Sequence, residues 1–170
     1  MTVSEPISVA DVRAYLSMEP DDTGDDPVLM SAIESCRDRL ESFLPYYLAS
    51  RRVTASRDLC SWGLMPSDCT MTLKGPVLEI VSVRVESPMD SVTVPADRWW
   101  LDGLTVHADI GGLLQGATRL VTEYTSGSHV TPNVRRALLM MVKSVYERRD
   151  EDPLTDEVYR IVMPEMELSL

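Results

Sequence analysis

The sequence predicts an α+β protein: a small helical bundle of two N-terminal helices, a core helix and a short C-terminal helix, with an antiparallel β-rich region inserted into it. Three observations carry this prediction. Residues 131–149, TPNVRRALLMMVKSVYERR, set Val134, Leu138, Met141 and Val145 at steps of four, three and four, the spacing of one helical face. Residues 27–44 repeat the pattern with Leu29, Ile33, Cys36, Leu40 and Phe43. Between them, residues 50–126 hold short alternating stretches punctuated by Gly, Pro and Asp, as strands and turns do. At 170 residues the chain reads as one domain, 1–170, long enough to bury about 70% of its unfolded surface.

In chain order, residues 1–45 supply the N-terminal helices. Ser8 opens a short helix with Val9, Val12 and Leu16 on one side, and Asp11 suits a capping-box start. It ends near Met18, ahead of Pro20. EPDDTGDDP follows, with four aspartates around Gly24. The alternation of ligands that a calcium loop requires is absent, so it reads as an acidic turn capping the next helix with Asp26 and Pro27. That helix runs over 27–44 until Pro45 closes it. Cys36 lies on its apolar stripe, a small core residue rather than a nucleophile.

Residues 51–59 alternate weakly, and 70–73, 92–94, 98–101, 104–108 and 119–125 are further candidate strands. The strongest is 77–86, where Val81, Val83 and Val85 alternate against Ser82, Arg84 and Glu86. Asp102-Gly103 marks a hairpin of type I′, which needs positive φ at both centre positions. Some five or six strands are expected in all. At the core helix, Thr131 caps the start and Pro132 takes the first position, where a missing N–H costs nothing. Ala137 through Val142 is apolar without interruption, so neighbours are expected on every side. Residues 154–170 follow a break at 150–153, carry Val158, Ile161 and Val162 on a short helix, and read as a mobile tail after Pro164.

The composition excludes several classes. The longest apolar run is far short of the ~20 residues of a membrane span, and MTVSEPIS lacks the basic-then-apolar order of a secretory signal. Three cysteines, Cys36, Cys60 and Cys69, are an odd and sparse set expected to be free thiols. A net charge of −11 opposes gripping a nucleic-acid backbone, though not letting DNA pass. No catalytic constellation stands out. His107 and His129 have no spaced partners for a metal, no phosphate loop or nucleophile elbow occurs, and a Cys60–His129 pairing assembled in space stays open. No cofactor or metal is expected.

Three groups of residues are candidates for contact surfaces. Trp99-Trp100 sets one indole on each face of a strand, and Tyr46-Tyr47 is a second adjacent aromatic pair; exposed aromatics are enriched at protein interfaces, and each pair could equally serve its own core. Arg135-Arg136 in a helix's first turn oppose its dipole, which an acidic partner in this chain or a neighbour would offset, unless both are simply solvated. Tyr159, Ile161, Met163 and Met166 give the C-terminal segment more apolar surface than a solvated tail needs. It either folds back on its own domain or orders against a partner.

The order of these pieces resembles the phage head–tail connector, or adaptor, proteins of the HK97-type and φE125-type prophage kind. The resemblance lies in ISVADVRAYLSME with its acidic turn, DPVLMSAIESCRDRLESFL, GPVLEIVSVRVES, ADRWWLDG, RLVTEYTSG and VTPNVRRALLMMVKSVYERRD. The turn after the second helix, Leu44-Pro45-Tyr46-Tyr47, and the segment LTDEVYRIVMPEMELSL depart from that pattern. The resemblance implies a non-enzymatic structural protein of the virion's head–tail junction, made in the host cytoplasm. It would form a ring, a dodecamer, beneath the portal protein, extend the DNA channel without specific DNA binding, and receive stopper or tail proteins. It also favours a C-terminal segment that is mobile alone and docks in assembly. Alternatives are a stopper or tail terminator, a small cysteine-dependent hydrolase, and an acidic DNA mimic or inhibitor. A gene placed just after those of portal, protease and major capsid protein would separate the first from the rest.

Overall fold

The structure, a computed structural model, describes residues 5–19, 23–59, 68–147 and 152–167. The chain divides into two compact units. One draws on the chain before Ser50 and after Gly127, and the other is the continuous stretch Ser50–Gly127. The first is helical, with α1 (Val9–Leu16), α2 (Asp26–Glu41), α3 (Pro132–Glu147) and α4 (Asp156–Glu167). The second holds the strands, so the fold is α+β with antiparallel sheets.

Helix α1 starts as its sequence dictates. Ser8 Oγ accepts from the Asp11 amide at 3.1 Å while the Asp11 carboxylate accepts from the Ser8 amide at 2.9 Å, which satisfies two amides that lack helical partners. It stops at Ser17, which takes the left-handed conformation at φ 57. Helix α2 begins one residue earlier than its Asp-Pro pair suggests, with Asp25 at the cap position and Pro27 inside the first turn. The Asp25 side chain makes no cap bond; it accepts the Tyr146 hydroxyl at 2.5 Å, tying the start of α2 to the end of α3. Asp26 pairs with Arg13 of α1.

Helix α2 ends at Glu41 rather than at residue 44. Leu44 precedes Pro45, and a residue before proline is pushed out of the helical region. Glu41 is itself buried, and its carboxylate accepts the Leu48 amide at 2.8 Å. That bond folds the following segment back so that Leu44, Leu48 and Ala49 are buried. The core of this unit gathers Val12, Leu29, Ile33, Cys36, Leu40, Val134, Leu138, Met141, Val158 and Val162. Helix α3 packs against α1, α2 and α4. It is not enclosed on every side: Leu139 and Met140 are half-buried, and Asn133, Arg135, Arg136 and Lys143 are exposed. Three neighbouring helices cover a wide stripe, and the polar residues mark what remains. Arg148 and Arg149, expected at the helix end, lie outside the described residues.

The strand unit contains seven strands among the described residues, not five or six: β1 (Arg51–Asp58), β2 (Asp68–Thr72), β3 (Val77–Glu86), β4 (Ser91–Thr93), β5 (Trp99–Asp102), β6 (Thr105–Asp109) and β7 (Arg119–Ser126). They form two antiparallel sheets, β1-β7-β3-β4 and β2-β6-β5. The last strand in sequence is central in the larger sheet, and its Leu120, Thr122 and Tyr124 are fully buried. In register beside them stand Val53, Ala55 and Arg57 on β1 and Ile80, Val83 and Val85 on β3. The opposite face is charged, with Arg52–Glu123 at 2.6 Å and Arg119–Asp58 at 3.3 Å.

The alternation expected along β3 fails at Val81. Register shifts between Val77 and Glu79 and between Ile80 and Ser82 leave Leu78 and Val81 without a partner on β7. These are β-bulges, in which an extra residue leaves the ladder. The β5–β6 hairpin exists but turns one residue later than expected. Asp102 still pairs with Thr105, and of the two loop residues Gly103 takes φ +56 while Leu104 does not turn positive. That is the φ pattern of a II′ turn, which needs glycine only at its first centre position.

Candidate functional site

Arg135 finds its acidic partner in its own chain, with its guanidinium 2.7 Å from Asp11 of α1. Asp11 thus closes the capping box of one helix and offsets an unfavourable cation at the start of another. Its carboxyl is held below the usual value of 3.8, first by the Ser8 amide and hydroxyl and then by Arg135. Asp109 is lowered by the Gly111 amide and Arg98, and Asp152 by the Leu154 amide and Arg39. A depressed carboxyl adds stability that is present above its unfolded value and lost as pH falls through its folded value. The melting temperature should therefore decline below about pH 4 through these groups, and Asp11→Asn should remove part of that decline. A pH–melting profile checks both.

Arg136 forms no ion pair among the described residues. It lines an open cleft of about 350 Å³ with Tyr15, Lys143, Glu147 and Glu157. Both cations and carboxylates line this cleft, so it presents no single sign of charge to a ligand.

The aromatic pairs divide. Trp100 is 51% exposed and stacks on the cross-strand His107, ring centroids 5.0 Å apart and nearly parallel. Trp99 takes the other face, in register with the buried Ala108. Tyr46 is half-buried: its hydroxyl donates to Glu165 Oε2 at 3.3 Å, and its ring meets His129 edge-on at 4.8 Å. Burial and the Glu165 carboxylate push its phenol above its usual range. The Tyr47 carbonyl accepts the His129 amide at 3.1 Å.

Proline at position 164 does not end the C-terminal helix, which continues to Glu167. Pro164 deprives the Arg160 carbonyl of its helical donor, an interruption that costs about 3 kcal/mol in an ordinary helix. What offsets it comes one residue later. Glu165 is buried, and its Oε1 accepts the Thr131 hydroxyl at 2.7 Å while Thr131 Oγ1 caps the Val134 amide at 3.2 Å. Val158 and Val162 are buried and Ile161 and Met166 pack against the core, leaving Tyr159 and Met163 exposed at 39% and 46%. The segment folds back on its own unit; it is not a mobile tail through residue 166.

Glu165 is the residue that sequence reasoning missed, for a lone glutamate beside a proline reads as surface. Glu165→Ala should cost about 1–3 kcal/mol by leaving the hydroxyls of Thr131 and Tyr46 without an acceptor. Glu165→Gln, which keeps an acceptor oxygen, should cost less. Equal denaturation midpoints for the two variants would contradict this role.

The thiols offer no nucleophile where they are described. Burial pushes Cys36 up to about 12 and raises Cys69 as well, whereas an attacking thiolate requires the opposite shift. Cys60 lies outside the described residues, and so does its pairing with His129. Among the described residues no three His, Cys, Asp or Glu converge as metal ligands, and no helix is long and apolar enough to cross a membrane.

No protein-family profile matches the chain, and no curated protein matches it. Among solved structures, the fold is similar to a chain of the "Neck of empty GTA particle computed with C6 symmetry", at a TM-score of 0.66. The likeness is one of fold. Identity is 19%, and the match covers 97% of this chain and 95% of that one. Helical unit and strand insert are therefore both part of the correspondence.

Proposed function

We propose that this protein is a non-enzymatic structural component of the neck of a tailed phage, prophage or phage-like particle. In this reading, copies form a ring beneath the portal protein, extend the DNA channel, and join head to tail by receiving stopper or tail proteins. The observation that carries the reading is the end-to-end match to a neck chain, 97% against 95%; a motif shared by chance would cover only part of each chain. The sixfold symmetry of that neck is compatible with a ring of twelve, since twelve copies contain a sixfold axis. The net charge of −11 suits a channel that DNA passes without adhering.

The residues suited to docking are those left exposed: Trp100, Arg135, Arg136, Tyr159 and Met163. Tyr46, Ile161 and Met166 are partly buried against the protein's own core and offer only their remaining surface to a partner. Electron microscopy of the purified protein with a portal assembly tests the reading. Rings stacked coaxially on the portal are expected. A protein that stays monomeric at high concentration and ignores the portal would overturn it.

A further inference from the structure

The smaller sheet, β2-β6-β5, has two edges, and the chain guards one of them. On β2, Arg57 donates to the Thr70 carbonyl and, at 3.2 Å, to the Thr70 hydroxyl. An incoming strand would need that carbonyl, so the guanidinium closes the edge. On the other side, no strand or helix among the described residues packs closely against β5 except β6 and the short turn Ala96–Arg98 before it. Asp102 and Thr105 close the hairpin around a two-residue loop, so they form a hydrogen-bonded pair and the ladder alternates from there. Trp100 therefore turns its main-chain groups toward His107, and those of Trp99 and Leu101 face outward. No main-chain bond reaches them from another segment among the described residues.

The side chains on this edge are equally uncovered. Trp100 is exposed on one face of the strand and Leu101 on the other. Trp100 and His107 stack with their planes 4° apart, which leaves the second face of the indole turned to the space beyond β5. The cation–ring contact among the described residues is Arg39 over Phe43, so no cation of the chain stands over Trp100 there. Asp97 before the strand and Asp102 at its end are exposed and form no ion pair among the described residues. Asp109 on β6 engages Arg98. The uncompensated charge at this edge is therefore negative. Open main-chain edges are templates for strand addition.

We propose that β5 is the docking edge for an extended basic segment of another protein, which adds as a fourth strand to the small sheet. An antiparallel strand bonded to Trp99 and Leu101 sets the residue opposite Trp100 in the non-bonded position, where side chains approach most closely. An arginine or lysine there lies on the free indole face, which attracts cations. Two residues away on the same face, a second cation meets the Asp102 carboxylate. The residue between them shares the face of Leu101 and is apolar. The segment thus alternates cation, apolar, cation. The chain's own cations at that spacing are Arg37 and Arg39, which lie in helix α2, so a second copy does not supply the strand. Carboxylates at both ends of β5 repel a phosphate backbone, so the indole is not a platform for nucleic acid. The contact does not depend on whether copies of this chain form a ring.

Nuclear magnetic resonance titration of the nitrogen-labelled full chain with the capped peptide Thr-Val-Arg-Val-Arg-Val-Thr tests this contact. The Trp100 indole signal and the Trp99 and Leu101 amides should shift together and saturate. The same peptide with glutamates for arginines should bind at least about tenfold more weakly, because like charge then faces Asp97 and Asp102. Trp100→Thr, a strand-compatible change at an exposed position, should weaken the arginine peptide about tenfold. Its circular dichroism should be unchanged. Methylating the main-chain nitrogens of the peptide should abolish binding, since strand addition needs those donors. Undiminished binding of the methylated peptide would show side-chain stacking alone and overturn the proposal. Equal affinity for the arginine and glutamate peptides, or shifts centred on β1 or β2, would overturn it as well. A Trp100 signal that moves with protein concentration alone would make a second copy the occupant. Saturable shifts with oligothymidine would make it a nucleic acid. Either result would overturn the basic segment.

Discussion

Leu138→Asp should abolish folding of the helical unit rather than weaken assembly. Leu138 is fully buried in α3, on the stripe covered by the neighbouring helices. An aspartate there would sit among Val134, Ala137, Met141 and Val142 in the apolar core, so it must be buried charged or take up a proton. Either route costs several kcal/mol, against a total stability of about 5–15 kcal/mol for a typical domain. Circular dichroism should show loss of helix signal and of the cooperative melting transition. A native-like transition in this variant would mean that α3 is not the core helix.

Deleting residues 154–170 should be nearly as severe. The resemblance to connectors favours a segment whose loss leaves the melting transition unchanged, and the packing of α4 reverses that expectation. Val158 and Val162 are fully buried, each contributing about 1.5–3 kcal/mol by transfer from water. Their removal also exposes the side of α3 against which α4 packs, and Thr131 and Tyr46 lose their acceptor on Glu165. A destabilisation on the order of 5 kcal/mol follows. The melting temperature should fall by more than ten degrees or so, in scanning calorimetry of the truncated chain. A truncated protein that melts normally but fails to join a portal ring would return α4 to the role of a detachable docking segment.

The parts of the fold that local rules govern were legible in the sequence. The Ser8–Asp11 capping box, the face of α3 and the span of β3 depend on residues a few positions apart, and they appear as expected. The failures share a cause, since each depends on a partner distant in sequence. Pro164 reads as a helix stop because the rule sees only the lost hydrogen bond; Glu165, bonded to Thr131 and Tyr46, is what carries the helix past it. Val81 reads as a core residue because alternation assumes an unbroken register, and the bulge is defined by pairing with β7. Arg135 reads as either paired or solvated because its partner Asp11 lies on another helix. Of the candidate surface residues, Trp100, Tyr159 and Met163 are exposed as an interface residue must be. Tyr46 turned inward because Glu165 and His129 supply a polar pocket for its ring and hydroxyl.

The division of the chain has a consequence for how the protein is made. The strand unit is one uninterrupted stretch, and its first and last strands pair with each other from Arg51 with Ser126 onward. It can therefore finish folding as soon as β7 leaves the ribosome. The helical unit cannot, because α1 and α2 emerge first and their partners α3 and α4 come last. Until then Leu29, Ile33 and Leu40 on α2 lack the cover of α3 and α4, and a nascent chain in that state is open to aggregation and to chaperones. Synthesis order thus places completion of the sheets before completion of the bundle. A ribosome-stalled chain whose β7 has just cleared the exit tunnel should already protect β7 amides from exchange while leaving those of α2 unprotected.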